Sequence, residues 1–353
     1  MTATFRVIDT GLRGGRANIA FDQALIEARL EDAIPDTIRF LSFTPSALVG
    51  RHQDLSLEVD LARCHARGVE VVRRITGGGA IYFDQGQLGW ELVFRRDHLP
   101  FANLGEAAST ICQAAASGLS DLGVAARFRP RNDIEVVGRK LCGTGGFFEG
   151  DVLFYQGTLL IDSDPDAMVD VLKVPRAKLV KRGLDDARQR VVTLRELLGD
   201  DLPDRASIIA ALVRGFEREL GLRTSTGDVT ATEEARAARI ETEEIGRDDF
   251  VHEIDDPARD AGLGRATHQG AGGIVTAYVR REGVAGDRLR EVLITGDFFL
   301  TPPRRIFDLE ARLRGVRVAE IGLAVDDFFA TTDIDALSLT PDDLKTAITA
   351  AAA

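Results

Sequence analysis

Three adjacent glycines, Gly77, Gly78 and Gly79, lie between the strand-like Glu70-Val71-Val72-Arg73-Arg74 and the apolar Ala80-Ile81-Tyr82-Phe83. Glycine loses more backbone entropy on folding than any other residue. Such a run is tolerated where the chain needs positive φ, or where another group comes too close for a Cβ. N–H groups freed in such a bend can converge on an anion, and Arg73 and Arg74 just upstream supply charge-assisted donors. Alone, the run reads equally well as a flexible turn.

A second segment makes the anion reading stronger. Arg129-Pro130-Arg131-Asn132-Asp133 leads into Ile134-Glu135-Val136-Val137, a turn at Gly138-Arg139, then Lys140-Leu141-Cys142-Gly143-Thr144-Gly145-Gly146. This pattern predicts a β-hairpin whose return strand presents Lys140 beside another glycine-rich bend. A lysine fixed on a strand among glycines can meet a phosphate. A solvated lysine at a hairpin edge is the competing structural reading. Asn132 and Asp133 are candidate Mg²⁺ ligands, since magnesium takes one or two carboxylates plus nucleotide phosphates; they also suit a turn.

Elsewhere the chain alternates strands and helices. Strands are expected at Phe5–Asp9, Thr37–Ser42, Ser46–Gly50, Gln87–Phe94 and Val152–Ile161, and helices at Asn18–Leu30, Leu104–Leu122, Leu194–Leu198 and Arg205–Leu220. A charged stretch from Thr224 to Asp256 carries a helical middle, Thr232–Ile240, which reads as a packed surface helix or as a connector. Glycines 262, 264, 270, 272 and 273 then mark a compositional break. Beyond it, strands at Gly273–Arg280 and Leu289–Thr295 and helices at Ile306–Leu313 and Thr340–Ala353 form a small α+β module. The expected fold is α/β (α+β), with one domain over 1–256 and a second over 262–353.

Composition limits the classes of function. A net charge of −12 argues against nucleic acid as a partner, because phosphate neutralisation needs a concentrated basic surface. No apolar run approaches a membrane span, and the first thirty residues lack a signal-peptide pattern. Three cysteines, Cys64, Cys112 and Cys142, have no metal-like spacing and fit a reducing cytoplasm.

The run R-R-I-T-G-G-G-A-I-Y-F-D with Q-G-Q-L (73–88), then R-N-D (131–133), G-R-K-L-C-G-T-G (138–145) and Y-Q-G-T-L-L (155–160), resembles the lipoate–protein ligase family in order and spacing. That family belongs to the biotin/lipoate ligase superfamily. The N-terminal R-V-I-D-T-G, N-I-A-F-D-Q-A-L and S-A-L-V-G-R-H-Q-D fit the same pattern, and I-T-G-D-F-F (294–299) is similar to the accessory domain of the long-form ligases. The resemblance implies a mixed β-sheet flanked by helices, a biotin/lipoate ligase-like catalytic domain with a small C-terminal accessory domain. It also implies ATP-dependent activation of lipoate to lipoyl-AMP, with Mg²⁺, and transfer to a lysine of a lipoyl carrier domain. The carrier would be the glycine-cleavage H protein, a 2-oxoacid dehydrogenase acyltransferase domain or a specialised lipoyl protein.

Carried onto this chain, Arg74 and Gly77, Gly78 and Gly79 lie along the lipoyl-phosphate end, and Ile81, Tyr82 and Phe83, with Asp84 behind them, border the adenine. Lys140 reaches the bridge between carboxylate and α-phosphate, with Asn132 and Asp133 near the phosphate or its metal. Three positions depart from the family pattern: Gln87 stands for the usual Asn, Tyr82-Phe83 for an aromatic–His pair, and Cys142 for Ser or Ala.

Other readings use the same residues. An octanoyl- or lipoyl-transferase would work through a cysteine thioester, and Cys142, two residues from Lys140, is the tempting nucleophile. Transferases of the superfamily carry their cysteine at positions matching 152–155 or 131–133, where this chain has none. A biotin ligase lacks support because its G-R-G-R loop is absent. A non-catalytic lipoyl-binding protein is disfavoured by the glycine run and Lys140 occurring together. His52 is a candidate for the tunnel wall or equally for a surface or capping histidine, His268 reads as loop, and Trp90 reads as core or tunnel wall.

Overall fold

A computed structural model describes residues 3–173, 190–260, 262–270, 272–337 and 339–353. Its strands are β1 (Thr4–Arg13), β2 (Thr37–Phe43), β3 (Ser46–Val49), β4 (Glu70–Arg73), β5 (Ile81–Phe83), β6 (Gln87–Arg95), β7 (Arg127–Arg129), β8 (Asp133–Val136), β9 (Arg139–Glu149), β10 (Val152–Leu160) and β11 (Arg223–Thr226). Eight of them make one mixed sheet in the order β11-β1-β2-β6-β10-β9-β8-β7. β1 runs parallel to both neighbours, and the remaining pairs are antiparallel. A small sheet, β4-β3-β5, stands beside it and carries the glycine run in the β4–β5 connection.

Helices cover both faces, as the alternating pattern requires. On one face lies Leu104–Ser120, whose buried alanines meet the helix Arg205–Leu220. A Cβ on Gly118 would come within 2.4 Å of the Ala211 carbonyl, and one on Gly215 within 2.4 Å of the Ala114 carbonyl. Small residues therefore set the close approach of this pair. The core beneath holds Trp90, Cys112, Cys142 and Tyr155, so Trp90 is core. On the other face the helix Gly15–Leu30 packs with Ala231–Ile240 over Leu41, Phe43, Phe83 and Phe147. The charged connector helix is thus packed, and its capping box at Thr230 and Glu233 explains where it starts.

Residues after 262 build an antiparallel sheet of β12 (Gly264–Gly270), β13 (Gly273–Glu282) and β14 (Arg288–Gly296). Helices Arg305–Leu313, Ile321–Thr331 and Pro341–Ala351 close over it around a separate core.

Several expectations need correction. β1 runs on to Arg13 through Gly11, which at φ +66° absorbs a register shift between Asp9 and Leu12. The strand expected to end at Asp9 is thus longer, and the helix expected from Asn18 starts at Gly15. The hairpin turn centres on Val137 and Gly138, both at positive φ, as a two-residue turn of the primed kind demands. The glycines at 264, 270 and 273 bound β12 and its turn. His268 is therefore a strand residue, with Nε2 at 3.0 Å from Asp343 Oδ1. The helix Ile321–Thr331 was not anticipated: only Ile321, Val325 and Phe328 of it are buried.

Candidate active site

The two segments singled out in the sequence face one another across a cavity of about 250 Å³. One wall is the glycine run with β5. The other is β9 with Asn132, and Gln156 and Thr158 of β10 form the floor.

Lys140 enters this cavity because of an irregularity in the hairpin. Residues two apart on a strand normally share a face. Between β8 and β9 the register shifts, so that Ile134 pairs with Cys142 but Glu135 with Lys140. The extra residue breaks the parity. Leu141 and Cys142 both fall into the core under Leu104–Ser120, while Lys140 lines the cavity with Gly143 and Gly145. The Lys140 backbone is pinned by the Arg190 carbonyl at 2.7 Å and the Val192 N–H at 2.9 Å. Its ammonium lies 2.8 Å from Asp133 Oδ1 and occupies the place of a Cβ on Gly143. Lys140 and Arg129 hold the Asp133 carboxyl below its ordinary pKa against the opposing effect of burial.

Asn132 supports the same hairpin. Its Nδ2 donates to the Thr144 carbonyl at 2.5 Å, and its own carbonyl accepts from the Thr144 N–H and hydroxyl. Asp133 also receives Arg129 at 2.5 Å. Among the described residues no three His, Cys, Asp or Glu side chains gather as metal ligands. Asp133, with both oxygens engaged by cations, is too small a donor set for a resident magnesium.

Arg74 is buried behind the glycine loop. Nη2 donates to the Gly77 and Gly79 carbonyls at 3.0 and 2.9 Å, Nη1 to the Leu48 carbonyl and Nε to Thr76 Oγ1. Burial lowers its pKa to about 10, so it stays charged at neutral pH. It holds the loop's shape and adds positive potential from below. Gly78 adopts φ +94°, while a Cβ on Gly79 would meet open space.

Ile81, Tyr82 and Phe83 also line the cavity, and Phe83 stacks on Phe43 at 4.4 Å. Gln87 Nε2 donates to the Tyr82 carbonyl at 3.0 Å, so the residue that departs from the family pattern fixes β5 from inside. Asp84 is not brought into the cavity; its carboxylate accepts from the Gly86 N–H at 2.8 Å and from the Asp164 N–H. His52 also lies elsewhere, buried against Phe298 and Phe307 in the seam with the C-terminal module.

Sequence reasoning missed Thr76, Gln156 and Phe299. Thr76 Oγ1 accepts from Gln156 Nε2 at 3.0 Å, tying the loop to β10. Phe299 reaches the cavity from a module without polar motifs of its own, and only its place in I-T-G-D-F-F could have signalled it.

The three thiols lie away from the cavity. Cys64 packs in a separate core under β3, and Cys112 contacts the hydroxyls of Thr144 and Tyr155. Burial raises the pKa of Cys64 and Cys112 to about 11 and pushes that of Cys142 still higher.

Known proteins are similar to this chain in sequence and fold. Residues 15–217 match the family model for the lipoyl protein ligase A/B catalytic domain. The lipoate-protein ligase LplJ of Bacillus subtilis is 33% identical over 187 residues, 53% of this chain and 55% of LplJ. The chain thus spans about half of that ligase's length. The octanoyltransferase LipM of Symbiobacterium thermophilum is 30% identical over 273 residues, 71% of this chain and 98% of that one. Among solved structures, a bipartite lipoate protein ligase from Thermoplasma acidophilum superposes with a TM-score of 0.64 at 25% identity, covering 71% of this chain and 97% of its own. The chain belongs to the lipoyl protein ligase A/B catalytic domain family.

Proposed function

We propose that this chain is an ATP-dependent lipoate–protein ligase, with Lys140 the residue that meets the reacting centre. Its relatives attach lipoyl or octanoyl groups to proteins, so the choice within the family is between adenylate and thioester chemistry. The observation that favours the adenylate is the parity break on β9: the charged side chain is turned into the cavity and the neighbouring thiol into the core. A nucleophilic cysteine works as thiolate, and burial disfavours that form at all three cysteines.

In the first half-reaction a lipoate carboxylate oxygen attacks the α-phosphorus of ATP, and pyrophosphate leaves. Both reactants are anions. Lys140 offsets their repulsion and aligns them, aided by the cationic Arg74 beneath the loop. In the second, the amine of a carrier lysine attacks the acyl carbon; Lys140 steadies the charge on the acyl oxygen, and AMP departs with the bonding electrons. Neither step needs a protein nucleophile. Ile81, Tyr82 and Phe83 would border the adenine, with Asn132 and Gly79 beside the phosphates. Magnesium would arrive on the nucleotide, with Asp133 beside it. The chain would divide into a catalytic domain over 1–256 and an accessory domain over 262–353. No helix of the described residues is long and apolar enough to cross a membrane.

Octanoyl transfer is the second reading, favoured by the near-complete coverage of LipM. The test is the mass of a purified apo lipoyl domain incubated with enzyme and either lipoate or an octanoyl-carrier thioester, each with and without ATP. A lipoyl increment only with ATP supports the ligase. Acylation from an octanoyl-carrier thioester without ATP supports the transferase.

A further inference from the structure

The ring of Phe299 stands inside the catalytic cavity, although the residue belongs to the C-terminal module. A Cβ on Gly145 would lie 2.3 Å from Phe299 Cε1, and one on Gly78 would lie 2.6 Å from Phe299 Cζ. The ring therefore fills the space that both glycines leave empty. Its backbone is fixed on either side. The Phe298 carbonyl accepts from the Gly78 N–H at 3.2 Å and would sit 2.1 Å from a Cβ on Gly77. Two residues on, Thr301 Oγ1 accepts from the Phe148 N–H at 2.6 Å and donates to the Phe148 carbonyl at 3.0 Å.

Two relationships place the ring relative to the reacting centre. Lys140 lies against Gly143 and Phe299 against Gly145, on one face of β9 and about 7 Å apart along the strand. Gly145 is also the register partner of Gln156. Arg74, Phe83, Gln156 and Thr158 are shared by the main cavity and a narrow cleft of about 10 Å³ that Leu41, Phe43, Leu48 and Glu91 also line. The cavity lining also includes the polar Ser163 and Asp164. An apolar acyl chain whose carboxylate rests at Lys140 shares the cavity of about 250 Å³ with this ring and meets it within its first several methylenes.

We propose that Phe299 is the residue that selects the acyl group, a ring supplied by the C-terminal module that limits the width and length of chain admitted beside Lys140. The assignment rests on the ligase reading for the position of the carboxylate. It accounts for Gly78 and Gly145 through one side chain, and it gives the module a part in substrate choice.

The experiment compares binding of hexanoate, octanoate, decanoate, dodecanoate and lipoate to the full-length wild type, Phe299→Ala and Phe299→Leu by calorimetry without nucleotide. Phe299→Ala is expected to raise the affinity for dodecanoate relative to octanoate roughly tenfold or more, since each buried methylene adds a few-fold. Phe299→Leu is expected to fall between. A ratio unchanged within threefold in the folded variants, or no acid bound by any of the three proteins, overturns the assignment. If Phe299→Ala fails to fold, Phe299→Leu decides by the same ratio. ATP–pyrophosphate exchange is measured in parallel. A length shift in binding without exchange in the wild type contradicts the ligase reading and supports the role of Phe299.

Discussion

Lys140 and Cys142, two residues apart on β9, lie on opposite sides of the sheet: the lysine opens on the cavity and the cysteine is fully buried beneath the helix Leu104–Ser120. One register shift separates a residue that can meet phosphate from one that cannot meet substrate. Lys140→Ala is expected to lower lipoyl-adenylate formation a hundredfold or more, the scale of losing one preorganised charged donor. The side chain is 37% exposed, so melting temperature should change little. Adenylate formation near the wild-type rate in the folded variant would show that Lys140 is only the partner of Asp133.

Cys142→Ala should keep most of the activity, because the adenylate route needs no thiol. Losing a small buried side chain next to Ile134 and Leu159 should cost about 1 kcal/mol of stability. Denaturant melts and turnover measured on one preparation separate the two effects. Abolished turnover, with an acyl-thioester trapped on the wild type, would point to the transferase.

Gly78→Val is expected to block binding of lipoate and ATP. Positive φ costs a non-glycine residue about 1–2 kcal/mol, and the new side chain would strike the Phe299 ring. Gly79→Ala, whose methyl enters open space, should be far milder. Equal effects of the two on calorimetric affinity would mean that the loop serves only as a turn.

His52 gives the fold a specific acid sensitivity. Burial, with Arg51 and Arg73 nearby, lowers its pKa to about 3. The unfolded chain takes a proton near pH 6.5 and the folded one does not until about pH 3. Stability from this group is complete above pH 6.5 and is lost as pH falls toward 3, by up to about 1.4 kcal/mol per pH unit. In urea melts between pH 7 and 5, His52→Gln should lose less stability than the wild type. Parallel pH profiles would remove His52 as the cause.

The main sheet and its flanking helices were legible because their periods are strong: Val152–Leu160 and Gln87–Arg95 pair along their full length. The cavity was legible too, because glycine runs and Lys140 are local signals that the fold brings together. What escaped was long-range. Nothing in Lys140-Leu141-Cys142 announces a register shift, which is set by how β8 pairs across the turn. Phe299 reads as core among apolar neighbours, and only the docking of the C-terminal module puts it between Gly78 and Gly145. The Gly77–Gly79 run proved to have two causes. Gly77 and Gly78 make room for Phe298 and Phe299, and Gly79 alone faces open space.

The central claim is that lipoate is activated as an adenylate without any enzyme thiol. The most direct measurement is lipoate-dependent exchange of labelled pyrophosphate into ATP, with wild-type enzyme and no carrier protein present. The account predicts exchange that requires lipoate, survives Cys142→Ala and disappears in Lys140→Ala. No exchange, together with an octanoyl-thioester formed on the enzyme from an acyl-carrier donor, would contradict it.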